Sequence, residues 1–194
     1  MKEVLIEKVV VNMGVGTDQE QMKKSEQVIK LITKKTPVKT SSDKRIPDWG
    51  VRPGVNLGLK VTLRGEDAKA FLLEAFVAKD KKILARNFDK AGNFGFGIRE
   101  HIDLPGIKYD PKLGIIGLDI LVALKKRGYR VKHRKIRKAK VGEKQRVSKD
   151  EAIEFVKSMG VEVAWVNKKQ DKCQKMTRWR KGIMHAKCAV QEKE

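Results

Sequence analysis

Alternating apolar and polar residues predict β-strands at four places along the chain. In the clearest of them, Leu59 and Val61 point to one face, and Lys60 and Thr62 point to the other. This alternation is typical of a strand that lies on a core with one face and leaves the other face polar. The four predicted strands span residues 4–13, 55–64, 93–98 and 116–124.

Apolar residues at helical spacing predict three helices. Thr17 and Glu20 match a capping box at the start of the first helix, and Ser148 and Glu151 match one at the start of the last. In each helix, apolar residues three and four positions apart form a stripe that can pack on a core. The stripes are Met22, Val28, Ile29 and Ile32; Phe71, Leu72, Ala75 and Phe76; and Ile153, Phe155, Val156 and Met159.

The order of these elements predicts an α+β fold, a mostly antiparallel sheet with helices packed on one face. Residues 41–54 and 79–93 are predicted as long exposed basic loops, because turn-forming and charged residues are frequent in them. Glycines alternating with Phe94 and Phe96 indicate that another backbone can approach the sheet closely there. The other, polar face is predicted to carry Lys8, Asn12, Lys60, Thr62 and Arg64.

Charge points to a polyanionic partner. The 194 residues include 45 Lys and Arg against 24 Asp and Glu, a net charge of +21. Residues 125–140 contain ten basic side chains and no acidic one, and we call this segment the basic run. Phosphate contact explains it better than a solvated linker, because solvated faces mix both signs, and an interfacial membrane helix would need a larger apolar face. The predicted phosphate contacts are Arg127, Arg130, Lys132, Arg134, Lys135 and Arg137.

Composition argues against a membrane-spanning protein and against nucleic-acid binding mainly by base stacking. No apolar run approaches the ~20 residues that span a bilayer, and no leader segment is recognised, so a soluble protein of a reducing compartment is expected. Aromatic residues make up 6 % of the chain, which argues against base stacking as the main mode of nucleic-acid binding.

Candidate metal and catalytic groups do not complete a known site. Cys173, His185 and Cys188 lack the fourth ligand of a structural zinc site, so free thiols and no metal are expected. His101 and His133 have no nucleophile or carboxylate at a recognisable spacing. Gly14-Val15-Gly16-Thr17 lacks a dinucleotide-binding or P-loop pattern and is interpreted as a structural turn. No cofactor and no enzymatic activity are predicted.

Several segments in fixed order resemble a known family. They resemble the universal 5S-rRNA-binding ribosomal protein five family of the large subunit, and the basic run and residues 150–163 resemble its archaeal branch. The segments are EKVVVNMGVG (7–16), TPVKT (36–40), LGLKVTLRG (57–65), NFDKAGNFGFGIREHIDLPGIKYD (87–110) and GLDI (117–120).

The resemblance implies a structural role in the ribosome, in the cytoplasm. Family members help attach 5S rRNA in the central protuberance, contact the P-site tRNA through a long loop, and touch large-subunit rRNA, neighbouring ribosomal proteins and the small-subunit head. The implied tRNA contacts, in loop 41–54, are Lys44, Arg45 and Arg52. The implied 5S rRNA contacts are Asn12, Gly14, Lys60, Thr62, Arg64 and Asn93.

The resemblance covers about residues 3–163, and residues 1–163 are expected to form a single domain. Residues 164–194 depart from it and are interpreted as a basic tail, either a lineage-specific RNA-contacting extension or an altered reading of the end of the gene. Two other functions stay open on the residues alone, a free-standing basic RNA-binding regulatory module and an RNA-processing enzyme. Clustered acids or a His–carboxylate pair would favour the enzyme, and none is visible.

Overall fold

A five-stranded antiparallel sheet forms the centre of the computed structural model, which describes residues 3–107 and 109–165. The strand order is β2-β3-β1-β6-β5, and two further strands form a small separate sheet. The strands are β1 (Val4–Gly14), β2 (Val38–Ser41), β3 (Asn56–Leu63), β4 (Lys82–Leu84), β5 (Phe94–Ile98), β6 (Leu118–Lys126) and β7 (Glu162–Ala164). The helices are α1 (Gln19–Thr33), α2 (Glu66–Ala78), α3 (Arg130–His133) and α4 (Lys149–Ser158).

The helices α1, α2 and α4 contribute to one apolar core against one face of the sheet. The predicted alternation is confirmed, since every second side chain is buried there from Val9 to Met13 in β1, from Leu59 to Leu63 in β3 and throughout β6. The α+β fold with helices on one face is therefore confirmed. The buried strand residues include Val9, Val11, Met13, Leu59, Val61, Leu63, Phe94, Phe96, Ile98, Ile120 and Val122.

A β-bulge keeps both halves of β1 in this core. The pairing of β1 with β6 shifts between Ile6 and Lys8, so Glu7 is the extra residue of the longer strand. Ile6 pairs with Leu124 before the shift, and Val9 pairs with Val122 after it. Ile6 and Val9 are three residues apart in the chain, and the bulge allows both side chains to face the same core.

Aromatic packing fixes α2 against the edge of the sheet. The ring of Phe76 lies 6.5 Å from that of Phe94 and 5.7 Å from that of Phe96, both in stacked geometry. Edge strand β5 is also held by Lys79 at the end of α2, whose ammonium donates to the carbonyl of Gly97 at 3.2 Å.

The two predicted capping boxes have different outcomes. Ser148 and Glu151 form a capping box at the start of α4, as predicted. The box at Thr17 is wrong, because α1 begins after Asp18 and no side chain caps its first turn. Sequence spacing alone does not separate the two, since residues 17 and 20 fit the pattern equally well.

The small parallel sheet of β4 and β7 is absent from the sequence-based prediction. Lys82, Ile83 and Leu84 pair with Glu162, Val163 and Ala164, within a segment predicted to be a basic loop. Ile83 is 2 % exposed and joins the main core. Strands of three residues are too short to show an alternation, which explains the omission.

A buried lysine links the end of β6 to α4. The side chain of Lys126 is 7 % exposed, and its Nζ lies 2.7 Å from Oε2 and 2.8 Å from Oε1 of Glu151. The hydrogen bond from Lys126, together with that from the Ser148 N–H, holds the pKa of Glu151 below its usual range. Lys126 belongs to the basic run, yet its ammonium group pairs with a carboxylate within the protein.

Candidate nucleic-acid interface

The sheet face opposite the core presents mostly polar side chains to solvent. We call this surface the open face. The register of the strands determines which side chains of this face are neighbours, because residues paired across antiparallel strands carry side chains on the same face about 5 Å apart. Its members are Lys8, Val10, Asn12, Lys60, Thr62, Ala123, Leu121 and Asp119.

A polar row crosses the three central strands. Lys60 of β3 pairs with Asn12 of β1, and Asn12 pairs with Asp119 of β6. Lys60 and Asp119 are exposed, and Asn12 is half-buried between them. A cation, an amide and a carboxylate therefore lie side by side and can bind phosphate and base edges together.

An apolar row lies beside the polar one. Val10 pairs with Thr62 on one side and with Leu121 on the other. Leu121 is 51 % exposed, which leaves an apolar surface for a ribose or a base.

Three of the six predicted 5S rRNA contacts belong to the open face, and two others lie at its edge. Asn12, Lys60 and Thr62 are neighbours in the register, and Gly14 ends β1 opposite Gly58. Arg64 is exposed and directly follows the last residue of β3.

Asn93 lies on the far side of the open face, away from Lys60. Its Oδ1 accepts a hydrogen bond from the backbone N–H of Leu124 at 3.3 Å, directly beyond the last β5–β6 pair. The Asn93 side chain therefore adds one hydrogen bond between β5 and β6 beyond their backbone pairing, and it stabilises the start of β5.

Glycines of β5 make room for neighbouring side chains of this chain. A Cβ at Gly95 would lie 2.7 Å from Cδ2 of Leu121, and one at Gly97 would lie 3.1 Å from Oδ1 of Asp119. The prediction of a close external backbone is therefore wrong at Gly95, since Leu121 already fills that space.

A basic cavity adjoins the open face. It encloses about 730 Å³ between the sheet residues Lys8, Asn93 and Ala123 and the chain from Tyr129 to Arg146. One of the six predicted phosphate contacts, Lys132, lines it. Its cationic side chains are Lys8, Lys132, Lys138, Lys140 and Arg146.

The predicted phosphate contacts of the basic run are all exposed. Two of them also bind within the protein, since Arg127 pairs with Glu3 at 2.9 Å and Arg134 Nε donates to the carbonyl of Arg137 at 2.7 Å. The ammonium of Lys132 lies 6.0 Å from the centre of the Tyr129 ring. The segment therefore has a defined shape and still presents cations to solvent.

Loop 41–54 is more structured than its composition suggests. Ile46 and Val51 exchange two backbone hydrogen bonds of 3.0 Å, and Ser42 bonds to Val55 at 3.0 Å. Val51 is 3 % exposed, so the prediction of an exposed loop is wrong at this residue. Trp49 is 73 % exposed at the tip. The predicted tRNA contacts Lys44, Arg45 and Arg52 are exposed on this hairpin-like loop.

Both histidines within the described residues have structural partners. His101 lies in a short 3₁₀-helix, is 3 % exposed, and accepts the Ile116 N–H at Nδ1 over 3.4 Å. His133 Nε2 lies 3.1 Å from Glu7 Oε1.

Metal and membrane features are absent from the part of the chain that the structure describes. No group of three or more His, Cys, Asp or Glu side chains there is arranged to hold a metal ion. No helix in residues 3–107 and 109–165 has the length and apolar character to cross a membrane. The candidate zinc residues Cys173, His185 and Cys188 lie outside the described residues.

Two descriptions of known protein families match consecutive parts of the chain. Residues 1–52 match the family described as "Ribosomal protein L5", and residues 56–155 match "ribosomal L5P family C-terminus". The chain belongs to the ribosomal protein L5 family.

Relatives place it in the archaeal branch of ribosomal protein L5. The chain is 46 % identical over 157 residues to "Large ribosomal subunit protein uL5" of Methanoregula boonei, an alignment that covers 81 % of this chain and 95 % of that protein. The protein of the same name in Picrophilus torridus is also 46 % identical over 157 residues, with 80 % and 89 % coverage. That of Methanococcus vannielii is 47 % identical over 167 residues, with 84 % and 92 % coverage.

Family membership confirms the coarser part of the sequence-based interpretation. As an L5 family protein of archaeal type, the chain is a structural, non-enzymatic constituent of the large ribosomal subunit, in the cytoplasm. The RNA-processing enzyme is thereby set aside.

Proposed function

We propose that the chain binds 5S rRNA through the open face, helps to hold it in the central protuberance, and contacts the P-site tRNA through loop 41–54. The observation that carries this proposal is the adjacency of Asn12, Lys60 and Thr62 on an exposed sheet face with Arg64 at its edge. The basic run and its cavity supply further cations for large-subunit rRNA. Neighbouring ribosomal proteins and the small-subunit head complete the proposed partners.

The arrangement suits a folded RNA. Phosphate contacts provide affinity and orientation, whereas polar groups that reach base edges provide specificity. The open face has both kinds of group, and the half-buried Asn12 has a restricted position from which to contact a base or ribose. A purely solvated basic surface would not need an exposed apolar row beside its polar one.

Salt dependence tests whether phosphates dominate 5S rRNA binding. If the open face and the cavity neutralise about six phosphates, the logarithm of affinity should fall with the logarithm of salt concentration at a slope of roughly −5. Filter binding or fluorescence titration at four or more salt concentrations measures this slope. A slope near zero would show that binding does not depend on phosphates, and a length-matched unrelated RNA serves as the specificity control.

Sedimentation separates a ribosomal role for this surface from a free-standing regulatory RNA-binding module. Co-migration of the chain with large subunits in a lysate, and its release together with 5S rRNA, support the proposal. A protein that stays at the top of the gradient with other RNAs would instead support the regulatory module.

Shortening loop 41–54 should weaken tRNA retention in the P site and leave 5S rRNA binding nearly unchanged. Replacing residues 43–53 by a Gly-Ser turn removes Lys44, Arg45, Trp49 and Arg52 without touching the open face. The variant loses the buried Val51 side chain, worth about 1.5 kcal/mol, so its melting temperature is measured first. P-site tRNA dissociation from reassembled ribosomes is then compared with 5S rRNA affinity.

A charge-only variant controls for the missing backbone. Lys44→Ser with Arg45→Ser and Arg52→Ser keeps the loop and should weaken tRNA retention in the same direction but less. If the shortened protein lost 5S rRNA binding while P-site occupancy stayed normal, the two surfaces would have been assigned the wrong way round.

A further inference from the structure

Asp119 is an unexpected residue on a surface that faces a polyanion. Its carboxylate is exposed at the end of the row Lys60–Asn12–Asp119. No side-chain hydrogen bond or ion pair joins it to another described residue. Lys60 lies two strands away, about 10 Å at the usual strand spacing, and does not neutralise it.

A glycine on the neighbouring strand β5 leaves space for the Asp119 carboxylate. Oδ1 of Asp119 would lie 3.1 Å from a Cβ at residue 97, so the glycine there leaves room for the carboxylate over β5. The exposed side chain of Leu121 lies two residues further along the same face of β6. An acceptor is therefore held beside an apolar surface within a basic protein.

The chemistry of a carboxylate selects its RNA partner. It repels phosphate and accepts hydrogen bonds only, so a favourable contact must come from base or ribose donors. Guanine offers two adjacent donors, N1–H and the 2-amino group, on its Watson–Crick edge. This edge matches the two oxygens of a carboxylate, whereas none of the other three bases has two adjacent donors there. The edge is free only in unpaired nucleotides, which is where RNA sequence is usually recognised.

We propose that Asp119 is a specificity-determining residue that accepts both Watson–Crick donors of one unpaired guanine, with Asn12 beside it and Leu121 under the base or its ribose. This inference rests on the proposed 5S rRNA function of the open face. It assigns the carboxylate to base recognition and Lys60 to the phosphates. The row Lys60–Asn12–Asp119 then both orients the RNA through its phosphates and discriminates between bases.

Asp119→Asn distinguishes this role from simple repulsion, because the two predict opposite signs. If Asp119 contacts guanine, the variant should bind 5S rRNA about tenfold more weakly, the loss expected for one bidentate base contact, and bind an unrelated RNA equally or slightly better. If Asp119 merely faces phosphates, losing its charge should strengthen binding to both RNAs. Glu74→Gln, an exposed charge change on α2, is the matched control and should have little effect on either.

Inosine substitution identifies the base, since inosine lacks the 2-amino group. Each unpaired guanine of 5S rRNA is replaced in turn, and one position should weaken wild-type binding but add nothing to the loss in Asp119→Asn. Equal or tighter 5S rRNA binding by Asp119→Asn, or no coupled position, overturns the inference. If the wild type itself does not prefer 5S rRNA to the unrelated RNA, the proposed function fails instead.

Discussion

Reversing the charge of Lys60 and Arg64 together should weaken 5S rRNA binding about 100-fold at physiological salt. Each lost phosphate contact costs roughly fivefold in affinity through counterion release, and a glutamate at the same place adds repulsion. The salt slope should also become shallower by about two. Both side chains are exposed, so Lys60→Glu with Arg64→Glu should leave the thermal unfolding midpoint nearly unchanged.

A matched double variant on the helix side separates a local contact from a general loss of charge. Lys24→Glu with Lys69→Glu changes the net charge by the same amount on exposed positions of α1 and α2. It should reduce affinity only a few-fold. Equal losses in the two double variants would show that 5S rRNA binding depends on net charge rather than on the open face.

Removing the partner of the buried Lys126 should give a large loss of stability. Glu151→Ala leaves the ammonium without its carboxylate and also removes half of the capping box of α4. Unpairing a fully buried charge costs about 3–5 kcal/mol, but the Glu151 side chain is 40 % exposed, so we expect about 2 kcal/mol at pH 7. Urea unfolding measures this change, and Glu154→Gln on the same helix is the control.

The stabilisation by Glu151 should also depend on pH. Because its pKa is lowered in the folded state, its contribution is fully present above the ordinary carboxyl pKa and is lost as pH falls through the folded-state pKa. Glu151→Gln should therefore be less stable than the wild type at neutral pH and approach its stability in acid. A difference that persists unchanged in acid would show that Lys126 is not stabilised by the carboxylate charge.

The sequence pattern predicts four of the five strands of the main sheet, because each central strand has one buried and one polar face. Edge strand β2 is not predicted, since it has no buried residue and therefore no alternation. The alternation in residues 55–64 and 116–124 therefore identifies β3 and β6, and helical stripes identify α1, α2 and α4. The three-residue strands β4 and β7 leave no such pattern. Their pairing depends on tertiary contacts between distant segments.

The candidate site is only partly visible in the sequence. Lys60 and Thr62 share a strand face by period two, but the adjacency of Asn12 to both Lys60 and Asp119 depends on register across three strands. The packing of the Leu121 side chain over Gly95 also depends on strand register. The hydrogen bond from the Leu124 N–H to the Asn93 side chain depends on it as well. The basic run indicates phosphate binding, but its composition does not reveal that Lys126 is buried and paired.

Site-specific cross-linking in assembled large subunits tests the central claim most directly. A photoreactive benzophenone side chain is placed at position 62 on the open face and, as a control, at position 74 on α2. The account predicts cross-links to 5S rRNA from position 62 and none from position 74. Cross-links from position 62 to large-subunit rRNA or protein alone, with 5S rRNA captured from position 74, would contradict it.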